Sequence, residues 1–516
     1  MKKNRWKQAA AAVLAGVIVA VTFSGCGTGK SKAQETLVYA QGAEPRGLDP
    51  ALVDDGESAK ITCNIYEGLL KYAKDSTKVE PCLAESYTVS PDGLVYTFKL
   101  RQGVKFQDGT DFDADAVKFN IDRQLPPKVT KDMSYASFVY GSVKSVEAVD
   151  KSTVKITMSA PCTPFLKNLA MVFGGPIVSP KALQANNNNV NQAPVGTGPY
   201  KFVRWDKGED VVLVRNDNYW GDKAKTKNVI FKFITDNSSR VVALNNGEVD
   251  MIDGIDASVV NQITSKGNKL FQAPGMTINY MAYNTSKKPF NDAKVRAAVS
   301  QAVNVPELVK SLYKGYSDPA TSVMPTFMDG YDKSITQVSY DATAAAATLK
   351  AAGVTSIHMI TYSNPRPYNT VNGQALAEAI QGYLSKVGVT CKIDSYDWTT
   401  YKSKVKEGGY DACFYGWTGD NGDPDNFMNL MAVDDPSQNV ALYKNPEYNK
   451  LIAKGTATPE GAARNAIYTQ LEKIAAKDAV WLPISHSQTL CGYRPNIHDF
   501  YYHVTGITPL AGVSKG

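Results

Sequence analysis

Histidine is scarce in this chain: four in 516 residues, with no two at the i, i+4 spacing that sets a pair of imidazoles on one helix face. A transition-metal centre therefore has little to draw on. The seven cysteines form no CxxC and no zinc-type spacing. No block of five lysines or arginines occurs. The formal charge is +6, of which Lys2, Lys3, Arg5 and Lys7 supply four, so the remainder sits near +2. That balance excludes an electrostatic surface for nucleic acid. Past residue 23 no run is long and apolar enough to span a bilayer. No GxSxG, HExxH or SxxK stands where a catalytic framework would need it. The calcium pattern is missing as well, as shown below for the one loop that suggests it.

What is present starts at the N-terminus. A positive leader precedes Ala9 to Phe23, an uncharged and largely apolar run, then Ser24, Gly25 and Cys26. The run has signal-peptide length and is short for a membrane span. An uncleaved anchor and an ordinary secretory signal are the alternatives. The cysteine directly after small residues favours a lipoprotein signal over 1–25, with diacylglycerol on Cys26 and a tether over 26–35. Phe23 stands where such signals usually carry leucine. Two acyl chains, at about 0.8 kcal/mol per buried CH₂, hold a protein on a membrane stably. The expected location is extracytoplasmic, on the outer face of the cell membrane. Gly29-Lys30-Ser31 ends like a P-loop, but Ser24 replaces the required first glycine and neither a strand nor a helix flanks it.

The portion after Cys26, about 490 residues, is too long for one core and should divide into two or three units. Its six cysteines lie in an oxidising setting that permits disulfides. Cys391 and Cys413 both fall in strand-like runs and could face each other; buried free thiols are the other reading. Period-two runs mark strands in the first half: "TLVYA", "YTFKL", "VKITM" and "DVVLVRN". Asp113 is the expected N-cap of the helix "DADAVKFNIDRQL", which gives the cluster Asp111, Asp113 and Asp115 a structural role. Residues 126 to 140 and the asparagine tract 186 to 189 read as loops. The second half alternates helix and strand. "VNGQALAEAIQGYLSKVG" sets Leu376, Ile380, Tyr383, Leu384 and Val387 on one face and stops at Gly388. The strand "VTCKIDSY", the helix "TTYKSKVKEGG" and the strand "DACFYGW" follow, the signature of a parallel sheet. Ligands of such sheets bind beyond the carboxyl ends of the strands.

The acidic loop "GWTGDNGDPDNF", 416 to 427, lies directly after such a strand. An EF-hand reading fails, because from Asp420 the third position is Gly422 and the twelfth is Met431. Locally, Asp420 could be a turn aspartate bonded to its own backbone. Asp423, before Pro424, and Asp425 read as turn-shaping residues.

Several long stretches in order resemble one family: "LAESYTVSPDGLVYTFKLRQGVKFQDGTDFDADAVKFNIDR", "PVGTGPYKFVRW", "NDNYWGDKAK" and "MTINYMAYNTSKKPFNDAKVRAAVSQAVN". The chain resembles the extracellular solute-binding proteins of the peptide/nickel ABC importers over nearly all of its length after Cys26. Within them, "NPRPYN" and "GWTGDNGDPDNF" are most similar to the dipeptide-binding members. The resemblance implies an α/β fold of two lobes joined by two hinge strands, near Asn279 to Thr285 and Val480 to His486. Lobe I would comprise 36–280 and 485–516, with an extra subdomain at about 80–200, and lobe II 281–484. It implies that Asp420 holds a ligand's ammonium and Arg366 its carboxylate. Trp398, Trp417 and Tyr368 would supply walls, and Gly416, Gly419 and Gly422 close backbone approach. A dipeptide is a zwitterion whose end charges must leave water, and an arginine fork with a carboxylate answers that cost. The implied partners are a short peptide, an ABC permease with its ATPase subunits, and the membrane through the lipid. No cofactor, no nucleic acid and a monomeric state are expected. Haem, glutathione, a longer peptide or nickel are alternative cargoes, and an extracellular peptidase is the reading from another class.

Overall fold

The computed structural model describes residues 35–336 and 338–516. The leader and Cys26 lie outside the described residues. Among those described, no helix is long and apolar enough to cross a membrane.

One long strand, Trp481–Tyr493, organises the main sheet. Its first part, through Ser485, pairs with strand Thr277–Tyr283; its last part, Gln488 to Tyr493, pairs with strand Lys269–Pro274. Thr277–Tyr283 also carries strand Ala412–Thr418 on its other side. Beyond that lie Ser356–Tyr362 and then Thr390–Tyr396, both parallel to Ala412–Thr418. The opposite half runs through Met251–Ile252, Thr36–Gln41, Asn228–Phe233, Asp210–Arg215 and Tyr200–Asp206. The result is an α/β fold of two halves with two strand connections. The pairing changes partner between Pro274 and Thr277: Lys269–Pro274 pairs with the 488–493 end of the long strand, and every residue from Thr277 to Tyr283 pairs with the 412–418 strand.

Buried apolar residues gather accordingly. One cluster runs from Met276 to Ile484 and is built on the 277–283 and 412–418 strands and their helices. A second, from Leu69 to Ile177, fills a separate four-stranded antiparallel sheet of Ala84–Val89, Val95–Leu100, Thr153–Met158 and Val143–Asp150. Two more lie under the 36–41 and 228–233 strands and around Val241–Ile263.

Local sequence accounts for the elements that position the acidic loop. Asn372 caps helix Gly373–Lys386 by accepting from the Ala375 amide; Leu376, Ala377, Ile380 and Leu384 face the core. Gly388, at φ +80°, takes the left-handed turn that ends it. Asp397 caps helix Trp398–Glu407 the same way. Asp113 caps helix Ala114–Asp122 through the Ala116 amide, and Asp111 pairs with exposed Lys105. The 126 to 140 stretch is not loop throughout: Ala136–Tyr140 forms a short helix, because Ala136, Val139 and Tyr140 bury against the second cluster and its neighbours. All six described cysteines are free. Cys391 and Cys413 do not face each other, since the 356–362 strand lies between them and pairs Ile357 with Cys391 and Ile360 with Cys413.

Candidate functional site

Three parallel strands end side by side: Ser356–Tyr362, Thr390–Tyr396 and Ala412–Thr418. Arg366, Trp398 and Asp420 follow them in that order, each within four residues of a strand's carboxyl end. The peptide dipoles and the free loop geometry make this edge the natural place for a ligand.

Arg366 sits in a tight loop closed by reciprocal backbone hydrogen bonds with Asn369, both 2.9 Å. Asn369 is fully buried. Its Oδ1 accepts from the Tyr313 hydroxyl at 2.7 Å, and its Nδ2 donates to the Tyr362 hydroxyl at 3.0 Å. Tyr313 in turn accepts from Asn279 Nδ2 of the central strand at 3.0 Å. This polar chain fixes the loop from beneath. The Arg366 guanidinium lies 3.9 Å from the centre of the Trp398 ring, a cation–π contact. Its Nε is buried without a hydrogen-bond partner, and no carboxylate lies within ion-pair distance of it among the described residues. Trp398 packs edge-on to Tyr362 and against Tyr415 of the 412–418 strand, with ring centres 5.7 and 5.6 Å apart. A cavity of about 420 Å³ opens beside Arg366, bounded by Thr418 on the same side and by Asp253, Ser487 and Tyr502 opposite.

Asp420 is organised by Asn426. Asn426 Oδ1 accepts from the Asp420 amide and from Trp417 Nε1, both at 2.9 Å, while its Nδ2 donates to Asp420 Oδ2 at 3.1 Å. The other carboxylate oxygen accepts from the Tyr135 hydroxyl at 2.6 Å. Asp420 lies deep in the protein yet keeps some solvent access, as a group lining a cleft does. Burial pushes its carboxyl above the ordinary value, and the two neutral donors act against that rise. No cation pairs with it among the described residues.

The other two acids of the loop are different. Asp423 is wholly buried and takes a bidentate fork from Arg464, 2.8 and 2.7 Å. Its Oδ1 also accepts from the Asp425 amide. Burial would raise its carboxyl, but the Arg464 charge outweighs that and holds it below the usual range. Asp425 accepts from Thr456 and Tyr468, both 2.9 Å. Asp423 therefore does more than shape a turn: it anchors the loop to helix Ala462–Lys477.

Contacts from the first half of the chain close over this loop. Tyr72 donates to the Asn421 carbonyl, Lys167 to the Gly422 carbonyl, and Asn421 to Asn168. The Lys167 ammonium stands 3.6 Å from Asp329 and 3.7 Å from Asp423. The three glycines have internal reasons for being glycine. A Cβ on Gly416 would fall 2.2 Å from the Tyr368 ring, one on Gly419 2.7 Å from Phe427, and one on Gly422 2.2 Å from Thr77. Tyr368 is buried, edge-on to Tyr362, and its hydroxyl has no hydrogen-bond partner of ordinary geometry.

So the structure brings Arg366 to Trp398, which packs on Tyr415, and brings Asp420 to Trp417 through Asn426. Tyr135, Asn426, Arg464 and Lys167 carried no local signal. Among the described residues, no group of three or more His, Cys, Asp or Glu could hold a metal ion. A larger cavity, about 620 Å³, lies at the other end of the sheet around Arg296. That guanidinium is occupied by the carbonyls of Phe290, Asp478 and Ala479.

Comparison with known proteins places nearly the whole chain among its relatives. Residues 78–439 match the bacterial extracellular solute-binding proteins, family 5, middle part. Di/tripeptide-binding protein 1 of Pseudomonas aeruginosa is 32% identical over 508 residues, covering 93% of this chain and 94% of that one. Heme-binding protein A of Haemophilus influenzae is 30% identical over 515 residues, covering 94% and 93%. The solved structure of HbpA2 from Haemophilus parasuis superposes with a TM-score of 0.86 at 30% identity, over 93% of this chain and all of that one. The chain belongs to the family 5 extracellular solute-binding proteins, the receptor components of ABC importers.

Proposed function

We propose that the protein captures short peptides, dipeptides foremost, between its two lobes and delivers them to a membrane permease. One observation carries this reading. Two opposite charges, Asp420 and Arg366, stand at the ends of neighbouring parallel strands, and neither has a counter-charge among the described residues. Leaving such groups unpaired on closure is costly, so each calls for a ligand charge. A zwitterion supplies both: its ammonium to Asp420, its carboxylate to the Arg366 fork. Trp398 and Trp417 form walls, and the cavity beside Arg366 gives room for side chains. The name of the Pseudomonas relative supports a peptide cargo. Haem, the cargo named for the Haemophilus relative, brings carboxylates that could use Arg366 but no ammonium for Asp420.

In this reading the lobes are 36–280 with 485–516, and 281–484, with the subdomain at about 80–200 in the first. Closure is a hinge motion stabilised by ligand contacts to both. The protein does no chemistry and works as a monomer, tethered outside the cytoplasm by lipid on Cys26. Cys26→Ser would release it from the membrane fraction. Calorimetry of the full chain, refolded to remove bound ligand, tests the cargo with an alanyl dipeptide and its N-acetylated form. Tight binding of the first and loss of the second is expected. Asp420→Asn and Arg366→Ala should each weaken binding by about 2–5 kcal/mol. Wild-type affinity in either variant, or cleavage of the peptide by the pure protein, would refute the reading.

A further inference from the structure

Tyr135 comes from the loop before helix Ala136–Tyr140, nearly three hundred residues from the loop it touches. We propose that Tyr135 is a positioning residue for the ligand's ammonium, completing the Asp420 acceptor from the opposite lobe. The proposal rests on the ammonium reading of Asp420 given above.

A carboxylate offers about four lone-pair sites, two on each oxygen. Tyr135 takes one on Oδ1 at 2.6 Å and Asn426 takes one on Oδ2 at 3.1 Å. One site on each oxygen remains, which suits an ammonium with three donors. Both donors are neutral, so they orient the carboxylate and leave its charge for the ligand. Tyr135 can do this at little entropic cost because its ring is already held. It stacks on Phe173, centres 4.8 Å apart and 22° between planes, and meets Phe138 edge-on.

Asn426 is part of the same loop as Asp420 and is present whether the lobes are open or closed. Tyr135 comes from the first half of the chain, so it is the donor that an opening of the lobes would take away from Asp420. The acceptor is therefore finished by the same motion that encloses the ligand. The other titratable groups nearby are committed elsewhere. Tyr72 donates to the carbonyls of Lys167 and Asn421, Asp423 is forked by Arg464, and Asp54, beyond Tyr135, is paired with Arg46 and Ser134. Hydrogen bonds from Tyr135 and Asn426 oppose the rise that burial imposes on the Asp420 carboxyl. Removing the tyrosine donor must then raise that carboxyl further, and binding that needs the carboxylate fails at a higher pH.

The test is Tyr135→Phe in the full chain, titrated with an alanyl dipeptide from about pH 4 to about pH 8. The expected result is roughly tenfold weaker binding at neutral pH, as for loss of one hydrogen bond to a charged group, and an acid limb moved to higher pH. Phe173→Leu keeps the hydroxyl but frees the ring, and should give a smaller shift of the same sign. Unchanged affinity, or weaker binding with an unmoved acid limb, would overturn the proposal, the second outcome leaving Tyr135 a purely structural role. If the wild type binds free and N-acetylated dipeptide alike, the ammonium reading of Asp420 itself fails, and this proposal falls with it.

Discussion

Replacing Asp423 by alanine separates the scaffold of the acidic loop from its ligand-binding part. Asp423 and Arg464 are 0% and 2% exposed, and two short hydrogen bonds join them. Removing one partner of such a pair costs about 3–5 kcal/mol, because the other charge stays buried alone. The upper part of that range is expected, since Lys167 would then face Arg464 across the vacated site. Against a typical total stability of about 5–15 kcal/mol, the loss is large. Urea unfolding followed by circular dichroism should show a lower midpoint with an unchanged slope. Acidity gives a second readout. Asp423 is held below its ordinary value in the folded state, so its contribution is complete above the unfolded value of about 3.9 and fades as pH falls through the native one. The gap between wild type and variant should therefore be constant at neutral pH and narrow in acid. Replacing both partners by leucine and methionine should recover most of the loss. A cost below about 1 kcal/mol, the range of an exposed pair, or one that does not change in acid, would refute the buried-pair account.

Glu472 is fully buried, accepts from Ser322 and from the Asp332 amide, and is pushed up to about 7 by burial. Its folded value exceeds the unfolded one of about 4.3, so ionising it costs stability as pH rises between the two; Glu472→Gln should add about 3–4 kcal/mol well above pH 7 and nothing near pH 4, read by denaturant midpoints. Trp398→Ala removes the ring under Arg366 and should weaken dipeptide binding about tenfold, while Trp398→Phe keeps most of it, both by calorimetry. Gly416→Ala drives a methyl into the Tyr368 ring and the Ile278 carbonyl, and should lower stability by about 1–3 kcal/mol in a thermal melt.

The 373–418 segment was legible because its signals are local. Leu376, Ile380 and Leu384 repeat at helical spacing, Gly388 ends the helix, and the strands that follow alternate around Cys391 and Cys413. Strand, helix and strand in that order leave little choice of architecture, and the two-lobed α/β fold follows from it together with the family motifs. The loop from 126 to 140 misled because its polar residues hide three that pack, Ala136, Val139 and Tyr140. The glycines of the acidic loop carry a second reason that sequence could not show. A side chain at Gly416, Gly419 or Gly422 would run into Tyr368, Phe427 or Thr77, partners that lie apart from them in the chain.

Asp420 and Asp423 show where a linear reading stops. In sequence they are near twins, two aspartates three positions apart in one glycine-rich turn. What distinguishes them comes from afar: Arg464 is 41 residues from Asp423 and Tyr135 is 285 from Asp420. A guanidinium makes the first a fixed strut, with its charge cancelled and its carboxyl lowered. A phenol and an amide orient the second without a counter-charge, and burial raises its carboxyl. A buried carboxyl without a cation either takes up a proton or meets a cation from outside the chain; the ligand ammonium proposed above is that cation. The strut holds the turn at the mouth of the strand, and the unpaired carboxylate beside it is the part of the loop that the fold alone does not satisfy.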